Sequence, residues 1–137
     1  MPPVNKRNKY NLQPYRKDGD TSGFRNLLWY KKNILPLIKE NMVNRDKMLD
    51  LGCGNGRFNT LTHNLFKNII CVDPIEDLEN KFTYKNVKFL KNHLHELHKL
   101  DFDVILMIGS MLSIWRKYGE KTLQYLSNLL NEEGLIF

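Results

Sequence analysis

The sequence predicts an α/β domain of three layers, with helices on both faces of a doubly wound, mostly parallel sheet. Three observations carry this. Short apolar runs alternate with helix-periodic segments through residues 48–137. The first two runs end in acids, Asp50 and Asp73, and the first passes directly into glycines at alternate positions, Gly52, Gly54 and Gly56.

Residues 48–50 close a buried strand, and the glycines make a tight turn into a helix whose stripe is Phe58, Leu61, Leu65 and Phe66. Residues 68–73 form a second buried strand, stopped by Pro74. Residues 87–91, 102–108 and 135–137 are further strand candidates. Between the last two, Leu123, Leu126, Leu129 and Leu130 have helical spacing, with Gly134 as the closing residue. Upstream, Asp20, Thr21 and Ser22 are candidate caps for a helix carrying Phe24, Leu27, Leu28, Ile34 and Leu35. Pro36 kinks or restarts that helix before Leu37, Ile38 and Met42.

In a parallel sheet of this kind ligands lie at the carboxyl ends of the strands, where Asp50, Asp73 and the Gly109-Ser110 turn all fall. Glycine is needed there because a ligand on a strand-to-helix turn tolerates no Cβ, and such turns call for positive φ. The helix that follows presents free N–H groups to an anionic group. The spacing differs from the GxGxxG of dinucleotide sites, since Arg57 stands where the third glycine belongs, and no GK[ST] ending marks a P-loop.

Asp50-Leu51-Gly52-Cys53-Gly54-Asn55-Gly56 resembles the (D/E)xGxGxG motif of class I S-adenosylmethionine-dependent methyltransferases, and the resemblance runs over residues 48–137. It implies a Rossmann-like methyltransferase core. It also implies that Asp50, Gly52, Cys53, Gly54, Asn55 and Gly56 hold the methionine portion of S-adenosylmethionine, with S-adenosylhomocysteine as product. Asp73, with Pro74 behind it, resembles the acceptor of the ribose hydroxyls, 17 positions after Gly56. Residues 89–94, including His93 and Leu94, resemble the segment along the adenine edge, and residues 102–109, including Met107 and Ile108, the strand beside the sulfonium. Residues 130–137 are similar to the family's entry to strand five.

The chain also departs from the family pattern. His93 takes a place where the family usually has Asp, which leaves the exocyclic amine to backbone groups or to the imidazole. No general base follows strand four, and the [DN]PPY motif is absent. The sequence ends inside strand five and lacks the usual final helix and strand hairpin, so the expectation is a homodimer or a partner subunit at the exposed sheet edge, or a truncated gene product. The resemblance implies methyl transfer by positioning and in-line displacement, to an acceptor the motifs do not name. Trp29, Tyr30, Ser110 and Trp115 are candidate walls of the acceptor pocket, with Trp29 equally readable as core, and Arg25 is a candidate partner for the cofactor carboxylate. The alternative is a non-catalytic cofactor-binding or regulatory module of the same fold.

Charge divides the chain: residues 1–47 hold eleven Lys and Arg against four Asp and Glu, and the remainder ten against eleven. Residues 1–20 are therefore a basic arm ahead of a single domain at 21–137. Lys6, Arg7, Lys9, Arg16 and Lys17, interleaved with Tyr10 and Tyr15, fit a nucleic-acid backbone with base stacking, or equally a solvated disordered arm. No apolar run spans a membrane and no signal peptide opens the chain, so a soluble, cytoplasmic protein is expected. Cys53 and Cys71 are expected to be free thiols. His93, His95 and His98 beside Glu96 lack a further ligand and read as a polar helix surface, with His95 and His98 on one face, so no metal is expected. No GxSxG elbow supports a hydrolase.

Overall fold

Among the described residues five strands form one sheet, all paired in parallel in the order β3-β2-β1-β4-β5. The computed structural model describes residues 27–41, 44–74, 83–98 and 101–137. β1 (Lys47–Leu51) is central, between β2 (Asn68–Val72) and β4 (Phe102–Leu106); β3 (Val87–Leu90) and β5 (Leu130–Ile136) are outermost. β4 is buried at every position and β1 at all but Lys47, as expected of strands covered on both faces.

Successive strand residues point to opposite faces, which sorts the core into two layers. On one, α1 (Leu27–Asn33), α2 (Leu35–Asn41) and α3 (Asn59–Thr62) accompany Tyr30, Leu35, Ile38, Phe58 and Phe66 onto Met48, Ile69, Cys71, Val104 and Leu106. On the other, Leu94 and Leu97 join Leu126 and Leu129 of α5 (Lys121–Leu129) over Leu49, Leu51, Val72, Phe102 and Ile105. Each buried aliphatic or Phe side chain contributes about 1.5–3 kcal/mol.

Helix boundaries depart from the periodic reading for local reasons. α1 and α2 are joined through the N–H of Ile34 on the Tyr30 carbonyl and that of Ile38 on Ile34, each at 3.0 Å. Pro36 has no N–H to carry the ladder through, and the helix restarts at Leu35. The caps expected at 20–22, Phe24, Arg25 and the basic arm lie outside the described residues. α3 is one turn long, not the helix of 58–66, although Phe58 and Phe66 are buried as the stripe requires. Past its end the side-chain amide of Asn86 donates to the carbonyls of His63 and Phe66, at 2.7 and 2.8 Å, where a longer helix would have placed its own N–H groups.

The largest correction concerns β5, expected at 135–137 and found at Leu130–Ile136. Leu130 is already extended and pairs with Phe102, while Leu135 pairs with Val104, so β5 bulges between them. Gly134 therefore serves the bulge and not a helix end: a Cβ on it would stand 2.6 Å from the Leu130 side chain. Residues 94–96 form only a single 3-10 turn, so His95 and His98 share no helical face. Residues 111–115, read as a turn, open α4 (Met111–Tyr118), which buries none of its residues.

At the amino ends of the strands one side chain ties three of them together. Asp103 Oδ2 accepts the N–H groups of Asp46 and Lys47 at 3.1 and 3.0 Å, and Oδ1 accepts the Asn131 amide at 2.6 Å. A cavity of about 350 Å³ beside it is lined by Asn41, Asn44, Asn131, Glu132 and Glu133. It lies at the opposite end of the sheet from the glycine turn.

Candidate functional site at the carboxyl ends of the strands

The strand order reverses between β1 and β4, and the glycine turn leaves β1 at that point. Gly52, Gly54 and Gly56 have φ of +76°, +59° and +82°, a conformation that L side chains adopt only with strain. Two of the glycines are also required by space. A Cβ on Gly52 would stand 2.3 Å from Ser110 Cβ, and one on Gly56 would stand 2.5 Å from the tip of the Phe89 ring.

The turn is anchored to β2. The Val72 carbonyl accepts the N–H groups of Gly52 and Cys53 at 2.7 and 3.2 Å, and Asp73 Oδ2 accepts that of Gly54 at 3.1 Å. Asp73 is thus brought against the glycine turn and nearly buried. Its N–H goes to the Leu90 carbonyl at 3.1 Å, which places it at the junction of β2 and β3. Asp50, buried on β1, completes an acidic pair under the turn, with Asn55 and Pro74 half-buried at its rim.

Charge and burial set the protonation of two neighbours. The adjacent Cys71 thiol, burial, and the charges of Asp50 and Asp73 push the Cys53 thiol well above its ordinary pKa. A thiol held protonated is no nucleophile. Both cysteines are free and buried, and Cys71 Sγ accepts from the Asn59 amide at 3.2 Å. The Tyr30 phenol is pushed up by burial and then by Asp50, partly offset by Thr62.

Tyr30 is not a pocket wall. It is fully buried, with its ring stacked on Phe58 at 4.2 Å and 13°. Trp29, beside it, is partly exposed. Ser110 is buried and its hydroxyl is committed: Oγ donates to the Leu51 carbonyl at 2.6 Å, pinning the start of α4 to the end of β1. Trp115 stands on the exposed face of α4 with Met111 and Leu112. Met107 is buried at the end of β4, with its N–H on the Phe137 carbonyl at 2.8 Å, and Ile108 is half-buried behind it.

His93 and Leu94 lie apart from the glycine turn, beyond β3. Leu94 is core. The His93 N–H donates to Glu96 Oε1 at 2.7 Å, His93 Nδ1 meets Lys117 Nζ at 2.7 Å, and His95 Nδ1 meets the Tyr118 hydroxyl at 2.7 Å. This junction with the end of α4 was not foreseen, since nothing in the sequence pairs residues 93 and 117. Asp103 was likewise passed over, although an acid inside an apolar strand is itself a signal. Among the described residues no three His, Cys, Asp or Glu side chains gather as a metal site.

Comparison with known proteins agrees with this fold. The model of a methyltransferase domain matches residues 48–134. Among solved structures, a Pyrococcus horikoshii protein aligns over 94% of this chain and 60% of its own, with a TM-score of 0.68 at 24% identity. A TehB-like SAM-dependent methyltransferase of Corynebacterium glutamicum covers 74% of this chain and 59% of its own (TM-score 0.58, 22% identity). A SAM-dependent methyltransferase of Methanosarcina mazei covers 72% and 53% (TM-score 0.57, 19% identity). The chain therefore spans less than two thirds of the length of each of these structures. A search of the curated proteins found no match.

Proposed function

The chain belongs to the methyltransferase domain family, and from that premise we propose that it moves a methyl group from S-adenosylmethionine to an acceptor by positioning and in-line displacement. The observation that carries the proposal is the glycine turn at the switch point, with three positive φ values and Asp73 holding Gly54. Bare backbone at that place and a nearly buried carboxylate at the end of β2 fit a nucleoside with an amino-acid tail. When bound, S-adenosylmethionine supplies an electrophilic methyl on a sulfonium.

Asp50 and the backbone of Gly52 to Gly56 would take the ammonium and carboxylate of the tail, and Asp73 the ribose hydroxyls. Met107 and Ile108 would exclude water beside the reacting sulfur. No side chain need become a nucleophile, in keeping with a protonated Cys53. Orientation of two reactants alone is worth about 7–11 kcal/mol of barrier. The acceptor would enter over α4, where Met111, Leu112 and Trp115 are exposed next to Ser110. Among the described residues no helix is long and apolar enough to cross a membrane.

Calorimetry and thermal unfolding with S-adenosylmethionine, S-adenosylhomocysteine and NAD test the reading. The sulfur nucleosides at a hundred times their Kd should add about 2.7 kcal/mol of stability, and NAD none. Asp73→Ala should weaken them at least tenfold, since a hydrogen bond to a charged group is lost. Equal stabilisation by NAD, or none by any of the three, would refute it.

A further inference from the structure

α4 buries none of its eight side chains. Ile114 and Tyr118, one turn apart, are half-buried against the core, while Met111 and Trp115 on the adjoining flank are each 40% exposed and Leu112 is 58% exposed. Apolar side chains grouped in this way mark a contact surface. The flank begins at the glycine turn. Ser110, pinned to the Leu51 carbonyl at 2.6 Å, immediately precedes Met111, and Trp115 lies five residues on, about 7.5 Å along the helix axis.

The charge around this flank says what it would meet. Residues 104–119 contain no Asp or Glu. Arg116 is exposed next to Trp115, and Lys117 reaches the segment leaving β3, its Nζ 2.7 Å from His93 Nδ1 and 5.4 Å from the Tyr118 ring centroid. Exposed Lys91 and Lys121 extend the cationic border, against Glu120 and against Glu96, whose Oε1 accepts the His93 N–H. Asp50 and Asp73, the acids at this end of the sheet, are buried. α1, which residues 1–26 precede with six Lys and Arg against two Asp, begins on the same side. Its Tyr30 stacks on Phe58 just past the glycine turn, whereas α2 ends at Asn41, by the cavity at the opposite end. An aromatic side chain bordered by cations suits an unpaired base and the phosphates on either side of it. A duplex hides its base faces, and an acidic peptide offers charge without rings to stack.

We propose that α4 docks single-stranded nucleic acid, Trp115 stacking a base while Arg116 and Lys117 take flanking phosphates, and that this strand is the methyl acceptor. The docking stands on the residues of this chain, and the acceptor role rests on the cofactor reading given above. A lone pair of the docked base would form the bond to the methyl carbon as the C–S bond breaks. The electron pair of that bond goes to sulfur, S-adenosylhomocysteine leaves, and any proton displaced from the base passes to solvent.

Fluorescence anisotropy of the full chain with a labelled 12-nucleotide strand of mixed sequence, as RNA and as DNA, tests the docking. At least one single strand should bind at least tenfold tighter than its duplex and than a glutamate peptide of equal charge. Trp115→Ala should weaken binding about tenfold. Arg116→Gln with Lys117→Gln should flatten the slope of log K against log salt by about 1.4, for two phosphates released. Duplex or peptide bound as tightly as the strand, no binding at all, or binding indifferent to variants that melt like the wild type, overturns the docking. Tritium from labelled S-adenosylmethionine should then appear in the strand with the wild type and be lost with Trp115→Ala. An unlabelled strand beside calorimetric binding of S-adenosylhomocysteine overturns the acceptor role alone. If S-adenosylhomocysteine does not bind, the cofactor reading falls together with the acceptor role, and the anisotropy result stands by itself.

Discussion

At Gly52 one added methyl group would have to share the space of the Ser110 side chain, whose own hydroxyl is pinned to the Leu51 carbonyl. Neither side can yield without separating α4 from β1. Gly52→Ala should therefore cost about 2–4 kcal/mol, from positive-φ strain plus overpacking, measured by denaturant unfolding. Gly119 has φ of +58° and ψ of −136°, outside the left-handed helical region, with nothing within 4 Å of a Cβ, so Gly119→Ala should cost only the backbone strain, about 1–3 kcal/mol. Tyr30 makes the opposite case. Its hydroxyl is buried beside Thr62 without a well-formed hydrogen bond, while its ring stacks on Phe58. Tyr30→Phe keeps the stack and removes a poorly solvated donor, so thermal unfolding should show unchanged or slightly higher stability; a loss above about 1 kcal/mol would show that the hydroxyl is bonded in solution.

At the scale of elements, the strands were read best because a strand buried on both faces is a plain apolar run. Residues 68–73 and 102–108 became Asn68–Val72 and Phe102–Leu106, with shifts at the ends alone. The helices were read by their stripes and misjudged in extent. Phe58 and Phe66 are core, yet α3 covers a single turn, and the carbonyls past its end are taken by Asn86, twenty or more positions away. β5 was misplaced because Gly134 has the local appearance of a helix end, and only its pairing with β4 reveals a bulge. Asp103 joins β1, β4 and β5 through three donors. Asp103→Ala strands all three, two of them backbone N–H groups, and should cost about 2–4 kcal/mol in denaturant unfolding; a cost under 1 kcal/mol would mean that water replaces the carboxylate.

Over the whole molecule, acid acts through the junction of β3 and α4. His93 has a folded pKa below its ordinary value, because desolvation and then Lys117 disfavour its charge. The unfolded chain therefore binds more protons as the pH falls through about 6.5, and stability falls with it. Glu96, whose pKa is lowered first by the His93 N–H, acts in the same direction at lower pH. Lys117→Met should flatten the slope of stability against pH just below 6.5, followed by thermal unfolding between pH 7.5 and 5. An unchanged slope would assign the acid sensitivity to other groups.

What the sequence by itself determined is the part that rests on local chemistry. Burial on both faces makes strands apolar, and a tight turn at positive φ favours glycine, so the strands are legible along residues 48–137, and the turn at Gly52 to Gly56 with the acids at Asp50 and Asp73 within residues 48–73. Only the tertiary structure decided which neighbours those residues would have. It set Ser110 against Gly52, Asp73 on the N–H of Gly54, Tyr30 within reach of the Asp50 charge, and Lys117 on His93. These pairs are separated by some twenty to sixty positions in the chain. Such distances carry no periodicity for a sequence to display, and close only when the strands take the order β3-β2-β1-β4-β5.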